Sequence, residues 1–355
     1  MVDILDTVDR ASLAAFDDII DVRTPAEFAL DHVPGAVNLP VLTDIERAEV
    51  GTIYVQDSRL KARRIGAAHV ARNIAAHLEG ALKDKPGSYA PLIYCWRGGM
   101  RSNALATVLS QVGWRVTVVG GGYKTWRRHV TAALYNAEPG FKVVLLDGYT
   151  GSAKTEILGR LNALGVQALD LEGLAGHRGS LFGALAGRPQ PSQKLFETRL
   201  LARLDELDPA RPVVVEAESS KIGERMVPPT VWKAMAGAPR IELGAPRAAR
   251  ARYLALAYGD IAADREALCA TLAKLPGRHG AKRLAAWRGL ARDGAFEALA
   301  ESLAEHHYDP AYERSRRAES RPSLGVIEMD SLEPDAQDAA AAGVVRLMSA
   351  MGAAP

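Results

Sequence analysis

YCWRGGMRS, residues 94–102, joins a short apolar run, Pro91-Leu92-Ile93-Tyr94, to a helical pattern that opens near Met100 (SNALATVLSQVG). Cys95 therefore falls where a strand feeds a helix. At such a junction the N–H groups of the turn and the positive end of the helix favour an anion, and Arg97 and Arg101 stand close by. A thiol of pKa about 8.5 drops in settings of this kind to roughly 3.5–7.5. Gly98 and Gly99 permit the φ values that turn several N–H groups toward one centre. The pattern predicts a thiolate in an anion cradle. A buried free cysteine at a strand end is the plainer reading, and the glycines and arginines count against it.

Outward from this stretch, strand and helix patterns alternate. FDDIIDVRTPAEF holds Ile19, Ile20 and Val22 in a buried strand, followed by a helix that opens at Thr24 with Pro25 in its first position. DHVPGAVNLP reads as two strand-like dipeptides broken by Pro34-Gly35 and Pro40. Residues 44–83 carry two helical patterns, RVTVVGGG is a short strand ending in glycines, and YKTWRRHVTAALY is a helix with a basic front. This alternation predicts a parallel sheet covered on both faces, with Cys95 at its C-terminal edge, where open α/β folds place their sites.

YNAEPG, residues 135–140, is rich in turn formers and marks a domain boundary. FKVVLLD then forms a buried strand, GYTGSAKT follows, and ILGRLNALG is the helix behind it. GYTGSAKT is nearly the G-x-x-x-x-G-K-[ST] phosphate loop in its strand-loop-helix setting: Gly148, Gly151, Lys154 and Thr155 are in place, and Ala153 stands where the third glycine belongs. Thr150 and Ser152 complete the loop. Diphosphate binding follows from this pattern; nucleotide hydrolysis does not. DLEGLAGHRGSLFG places His177, Arg178 and Ser180 in a glycine-dense loop. RPVVVEAESSKIG delivers Glu216 and Glu218 to a strand end, where a P-loop protein keeps a metal-binding or water-ordering acid, or merely solvated carboxylates. From Pro246 the chain turns alanine-rich and helical, with Arg247, Arg250, Arg252, Lys282, Arg283, Arg288 and Arg292 as solvated faces or as a track for an RNA backbone. SLGVIEMD, near 323–330, is a last strand.

The totals bound the rest. With 355 residues, 48% hydrophobic and 24% charged, the chain has enough length for two domains. No apolar run approaches the ~18 residues of a membrane span, and the acidic N-terminus is unlike a signal peptide. Two cysteines, Cys95 and Cys269, exclude a disulfide framework and point to a reducing, cytoplasmic setting. Cys269 reads as a small core residue, and His306 and His307 as surface residues of a helix. A net charge of +2 leaves any phosphate-binding surface to local clustering.

DVRTPAEF, HVPGAVNLP, YCWRGGMRS and GGYKTW, in that order, resemble the signature of a rhodanese-like domain, whose loop cysteine carries sulfur or selenium. The loop from Cys95 through Arg101 is one residue longer than such domains commonly have. That predicts a wider cradle, and it is also the loop of rhodanese-fold phosphatases and arsenate reductases. YCWRGGMRS, GGYK, TGSAKT, DLEGLAGHRGS, PSQKLFE and ESSKIG together resemble the tRNA 2-selenouridine synthases across nearly the whole chain.

The resemblance implies an α/β architecture: an N-terminal rhodanese-like parallel-sheet domain, residues 1–136, then a P-loop NTPase-like α/β domain with a helical C-terminal part, residues 137–355. It implies a transferase that converts wobble 2-thiouridine in tRNAs for lysine, glutamate and glutamine to 2-selenouridine through S-geranyl-2-thiouridine. Geranyl diphosphate and selenophosphate are the implied co-substrates, Mg2+ an accompanying ion, and a selenophosphate-producing enzyme a partner. Cys95 would carry selenium or act directly in the exchange, with Arg97, Arg101, Gly98 and Gly99 around the anion, while Gly148, Thr150, Gly151, Ser152, Lys154 and Thr155 hold the diphosphate. Leu181, Phe182 and Phe196 are candidates for an apolar trough. A sulfurtransferase, a Cys-dependent phosphatase or arsenate reductase fused to a nucleotide-binding module, and a nucleotide-sensing binding protein stay open beside it.

Overall fold

The computed structural model describes residues 2–185, 187–275, 279–318 and 321–350. The chain divides into two compact units, 1–137 with 192–205, and 138–191 with 206–355.

In the first unit, β1 (Asp3–Leu5), β2 (Asp18–Asp21), β3 (Ala36–Asn38), β4 (Pro91–Tyr94) and β5 (Thr117–Val119) form a parallel sheet of order β1-β5-β4-β2-β3. Only one of the two strand-like dipeptides around Pro34-Gly35 joins the sheet, because Pro40 and the turn at Gly35 leave just Ala36–Asn38 in register with β2. Ile20, Ile93, Leu105, Leu109 and Val118 fill the core. Thr24 caps the helix Pro25–Leu30, with Glu27 returning the bond to the Thr24 N–H.

At the C-terminal edge of β2 lies a buried ion pair. Arg23 donates to both oxygens of Asp21, with Nη2 at 2.6 Å from Oδ2, donates to the Asp31 carbonyl at 2.6 Å, and lies 4.1 Å from the centre of the Tyr123 ring.

The helix Gln193–Leu204, which holds most of the PSQKLFE block, packs on this unit although the sequence places it in the second domain. Its buried face, Phe196 to Leu201, meets the helix Tyr123–Thr131 and the π-helical turn Ala132–Asn136. Trp126 Nε1 donates to Thr198 Oγ1 at 3.2 Å, Tyr135 donates to Glu197 at 2.5 Å, and Arg127 pairs with the buried Glu197. Sequence periodicity marks that face as apolar but carries no record of which sheet it covers.

In the second unit, β6 (Val143–Gly148), β7 (Ala168–Leu169), β8 (Val213–Glu216), β11 (Arg240–Gly244) and β12 (Ser323–Glu328) form a parallel sheet of order β12-β11-β6-β8-β7; a small antiparallel pair, β9 (Lys221–Ile222) and β10 (Arg225–Met226), lies apart from it. β6 is central and wholly buried, so its C-terminal end opens at the middle of the sheet edge. The helix Lys154–Ala163 covers one face through Ile157, Leu158 and Leu161. The helices Arg265–Leu272, Ala281–Asp293 and Phe296–Leu303 build a second apolar core around Leu272, Trp287, Leu299 and Leu303, with Cys269 inside it, and the helix Arg247–Ala257 packs against the last of them. His306 and His307 fall in a π-helical turn, where His307 bonds the His279 ring at 3.0 Å. Among the described residues no helix is long and apolar enough to cross a membrane.

Arg23→Ala leaves Asp21 charged and buried without its partner, which is expected to cost about 3–5 kcal/mol. A urea midpoint equal to that of the parent chain would show that the ion pair is dispensable.

Candidate active site

In the first unit, β4 carries Cys95 to the sheet edge and the helix Met100–Val112 begins five residues later. The Sγ atom accepts the Gly99 N–H at 3.2 Å and the Ser102 hydroxyl at 3.3 Å. Burial pushes the thiol pKa up, but hydrogen bonds from the Ser102 side chain and from the N–H groups of Ser102, Arg97 and Gly99 more than offset it, so the net shift is downward. The arginines play other parts than the sequence suggests. Arg101 is committed to Glu27, with its Nη1 at 2.6 Å from Oε2, and the exposed Arg97 lines a neighbouring cleft. Ser102, the last residue of the YCWRGGMRS stretch, contributes the hydroxyl that the sequence reading passed over.

The loop is braced by the glycine turn after β5. Gly98 and Gly122 both have positive φ, 64° and 62°. A Cβ on Gly98 would sit 2.8 Å from the Val119 carbonyl, and one on Gly122 would run into the Cys95 carbonyl and the Gly98 N–H. Tyr123 and Lys124 donate their N–H groups to the carbonyls of Cys95 and Trp96 at 2.8 and 3.3 Å.

In the second unit, the loop after β6 lines a pocket of about 500 Å3 with Thr150, Gly151, Ser152, Ala153, Lys154 and Thr155. Gly148 ends β6 beneath it and accepts Lys154 Nζ at 3.0 Å. Ala153 occupies the left-handed region at φ 56°, the conformation that favours glycine, and its methyl is buried against the core of this unit. Burial works against the Lys154 ammonium, yet Tyr312, Glu218, Glu172 and Asp147 hold its pKa above the ordinary lysine value.

His177, Arg178, Ser180 and Glu218 all line this pocket. Burial depresses His177, and Arg178 is tied to Asp260 at 3.0 Å. Glu216 is fully buried at the end of β8, where it accepts the Glu172 N–H at 2.9 Å and burial raises its pKa. Glu172 is the acid that sequence reasoning missed, although it lies inside the DLEGLAGHRGS block. It stands 3.5 Å from the Thr155 hydroxyl, and burial and the adjacent Glu218 carboxylate push it well above the usual range despite Lys154. Tyr253, Tyr258, Tyr308 and Tyr312 complete the wall. Their helical spacing reads as ordinary core, so pattern alone offers no signal for them.

Arg250 is no surface cation. It is buried, forms a forked pair with Asp309 at 2.8 and 3.0 Å, and donates to the Thr150 carbonyl at 3.1 Å, holding the phosphate loop in place. A second, narrow cavity shares Thr150, Ser180, Leu254, Tyr258 and Tyr308 with the first and continues between Phe182, Leu268, Phe296, Leu299 and Leu303. Phe182 is thus the one expected trough residue on an apolar wall. Leu181 is exposed and Phe196 is buried in the first unit.

These two sites define a class: a rhodanese-like thiolate loop joined in one chain to a P-loop unit. Residues 5–129 match the family model of the rhodanese-like domain, and residues 141–277 match that of the tRNA 2-selenouridine synthase AAA domain. A tRNA 2-selenouridine synthase of Pseudomonas syringae is 38% identical over 63% of this chain and 61% of its own length, so that alignment spans about three-fifths of the relative. Another, from Pseudomonas fluorescens, is 34% identical over 84% of this chain and 89% of its own. A rhodanese-related protein of Thermoplasma volcanium is 19% identical over 35% of this chain and 93% of its own, with a TM-score of 0.22. The chain belongs to the tRNA 2-selenouridine synthase family.

The downward shift of the Cys95 pKa predicts that alkylation by iodoacetamide, followed by peptide mass spectrometry, has a midpoint below that of a free cysteine measured alongside it. Ser102→Ala removes a hydrogen bond to the thiolate and is expected to move that midpoint upward. A midpoint that stays put would take the hydroxyl out of the account.

Proposed function

We propose that this chain converts wobble 2-thiouridine of tRNA to 2-selenouridine in two steps, with geranyl diphosphate and selenophosphate as co-substrates. The observation that carries the reading is the apolar cavity sharing its wall with the phosphate-loop pocket, which suits a ligand with a diphosphate head and a hydrocarbon tail. In the first step the thiocarbonyl sulfur attacks C1 of the geranyl group, the C–O bond breaks, and diphosphate leaves into the loop. Lys154, Thr155 and the loop N–H groups take up the charge of that leaving group. No nucleotide need be hydrolysed. A Mg2+ carried in on the diphosphate would find the Thr155 hydroxyl beside it, and the Glu172 carboxyl only once that group gave up its proton.

In the second step the selenium of selenophosphate bonds to C2, the C2–S bond breaks so that geranylthiol departs, and water cleaves the Se–P bond to release phosphate. Alkylation makes this possible, because an unmodified thiocarbonyl sulfur is a poor leaving group. The first unit serves this step, as N–H groups that hold the Cys95 thiolate suit an anionic chalcogen equally. tRNAs for lysine, glutamate and glutamine are the proposed acceptors, and a selenophosphate-producing enzyme the proposed supplier.

Mass spectrometry of tRNA nucleosides after incubation with purified enzyme tests the division. Cys95→Ser is expected to abolish 2-selenouridine while leaving S-geranyl-2-thiouridine formation intact. Equal loss of both products in a folded variant would overturn it. Lys154→Ala is expected to weaken geranyl diphosphate binding about tenfold or more, read by calorimetry, and Leu303→Trp, which fills the apolar cavity, to weaken it without changing the affinity for inorganic diphosphate. An unchanged affinity of the Trp variant for geranyl diphosphate would remove the cavity from the reading.

A further inference from the structure

Beside the Cys95 loop, within the first unit, lies an open cleft of about 740 Å3 whose walls carry five cationic side chains: Arg97, Lys124, Arg127, Arg128 and Lys194. They come from three segments: the cysteine loop, the helix Tyr123–Thr131, and the helix Gln193–Leu204. No carboxylate lies among the described lining residues. Arg127 is partnered by Glu197, and Arg128 donates to the Thr125 hydroxyl at 3.1 Å. Lys124, Lys194 and Arg97 are exposed and form no ion pair among the described residues. Concentrating cations this way is costly through mutual repulsion unless a polyanion relieves it.

Trp96 forms part of the same wall, half-buried and stacked on Tyr123 with ring centres 5.2 Å apart. Cations alternating with an aromatic ring are what single-stranded nucleic acid requires: charges for the backbone and a flat face for a base. The volume and the spread of cations over three segments suit a run of phosphates better than one small anion. Of the basic residues of the second unit, Arg250 is buried on Asp309 and Arg247 lies near Glu305 and Asp309, while Arg252, Lys282, Arg283, Arg288 and Arg292 are exposed.

We propose that this cleft is the RNA-docking surface of the first unit: Lys124, Arg128 and Lys194 hold backbone phosphates of a single-stranded loop, and Trp96, next in sequence to Cys95, stacks a base. The inference rests on the reading above in taking tRNA as the substrate, but it assigns a place that the phosphate-loop chemistry does not require.

The test is fluorescence anisotropy with the full chain and a labelled anticodon stem-loop RNA containing 2-thiouridine. The variant Lys124→Glu with Lys194→Glu is expected to raise Kd more than about tenfold at about 0.1 M salt, and to flatten the slope of log Kd against log salt by about 1–2. Lys282→Glu with Arg283→Glu, on an exposed helix of the second unit, is expected to stay within about twofold of the parent. The neutral pair Lys124→Gln with Lys194→Gln covers a charge-reversed variant that fails to fold, and an unchanged Cys95 alkylation rate reports an intact loop.

Kd within about twofold of the parent for a folded cleft variant overturns the assignment while leaving the proposed function standing. A parent chain that does not bind the RNA at all sinks the proposed function as well. Inorganic phosphate that displaces the RNA far better than chloride at matched ionic strength would reassign the cleft to a small phosphate ligand.

Discussion

N–H groups can converge on one anion only where the backbone bearing them is held open from behind, and here the brace is main chain against main chain. Gly98 faces the Val119 carbonyl and the Gly121 N–H, while Gly122 faces the Cys95 carbonyl and the Gly98 N–H, at separations that no side chain allows. The N–H groups of Tyr123 and Lys124 close on the loop carbonyls from the same side. That leaves the Gly99 N–H to serve the sulfur, with the Ser102 hydroxyl proton shared between Sγ at 3.3 Å and the Gly99 carbonyl at 3.1 Å. The brace is anchored in turn, because the Tyr123 hydroxyl donates to Asp31 at 2.6 Å and its ring lies under Arg23, which is locked to Asp21 at the end of β2. A buried pair on the strand next to one edge of the sheet thereby fixes where the thiolate stands.

The second unit solves a similar problem with charge as well as backbone. Its loop carries a lysine whose charge the surrounding fold itself stabilises. The charges of Tyr312, Glu218, Glu172 and Asp147 favour the Lys154 ammonium against burial, and Glu172 avoids full repulsion from Glu218 by favouring its neutral form. Ala153 shows that glycine is preferred at the left-handed position but not obligatory: the conformation costs on the order of 1 kcal/mol, and its buried methyl offsets part of that.

Much of this was legible in residue order. Pro25 after Thr24, the run PLIYC ending in glycines, and VVLLDG before a lysine each announce a local geometry, and each forms it. What the order left out has one physical cause, which is that partners in space are not neighbours in sequence. Arg101 reads as a thiolate partner until Glu27 claims it, and Arg250 reads as a wet helix face until Asp309 buries it. Glu172 reads as a helix-start acid until the chain folds it against Glu218.

By itself, then, the chain of residues determined the two parallel-sheet motifs, the thiol at a strand end and the phosphate loop, because turn chemistry, short-range periodicity and helix starts act within about ten residues. Only tertiary structure decided that helix 193–204 packs on the first unit, that an apolar cavity runs on from the phosphate loop, and that cations from three segments surround one cleft. Each of these depends on which buried faces find one another, and a face without its partner has no position that local sequence can state.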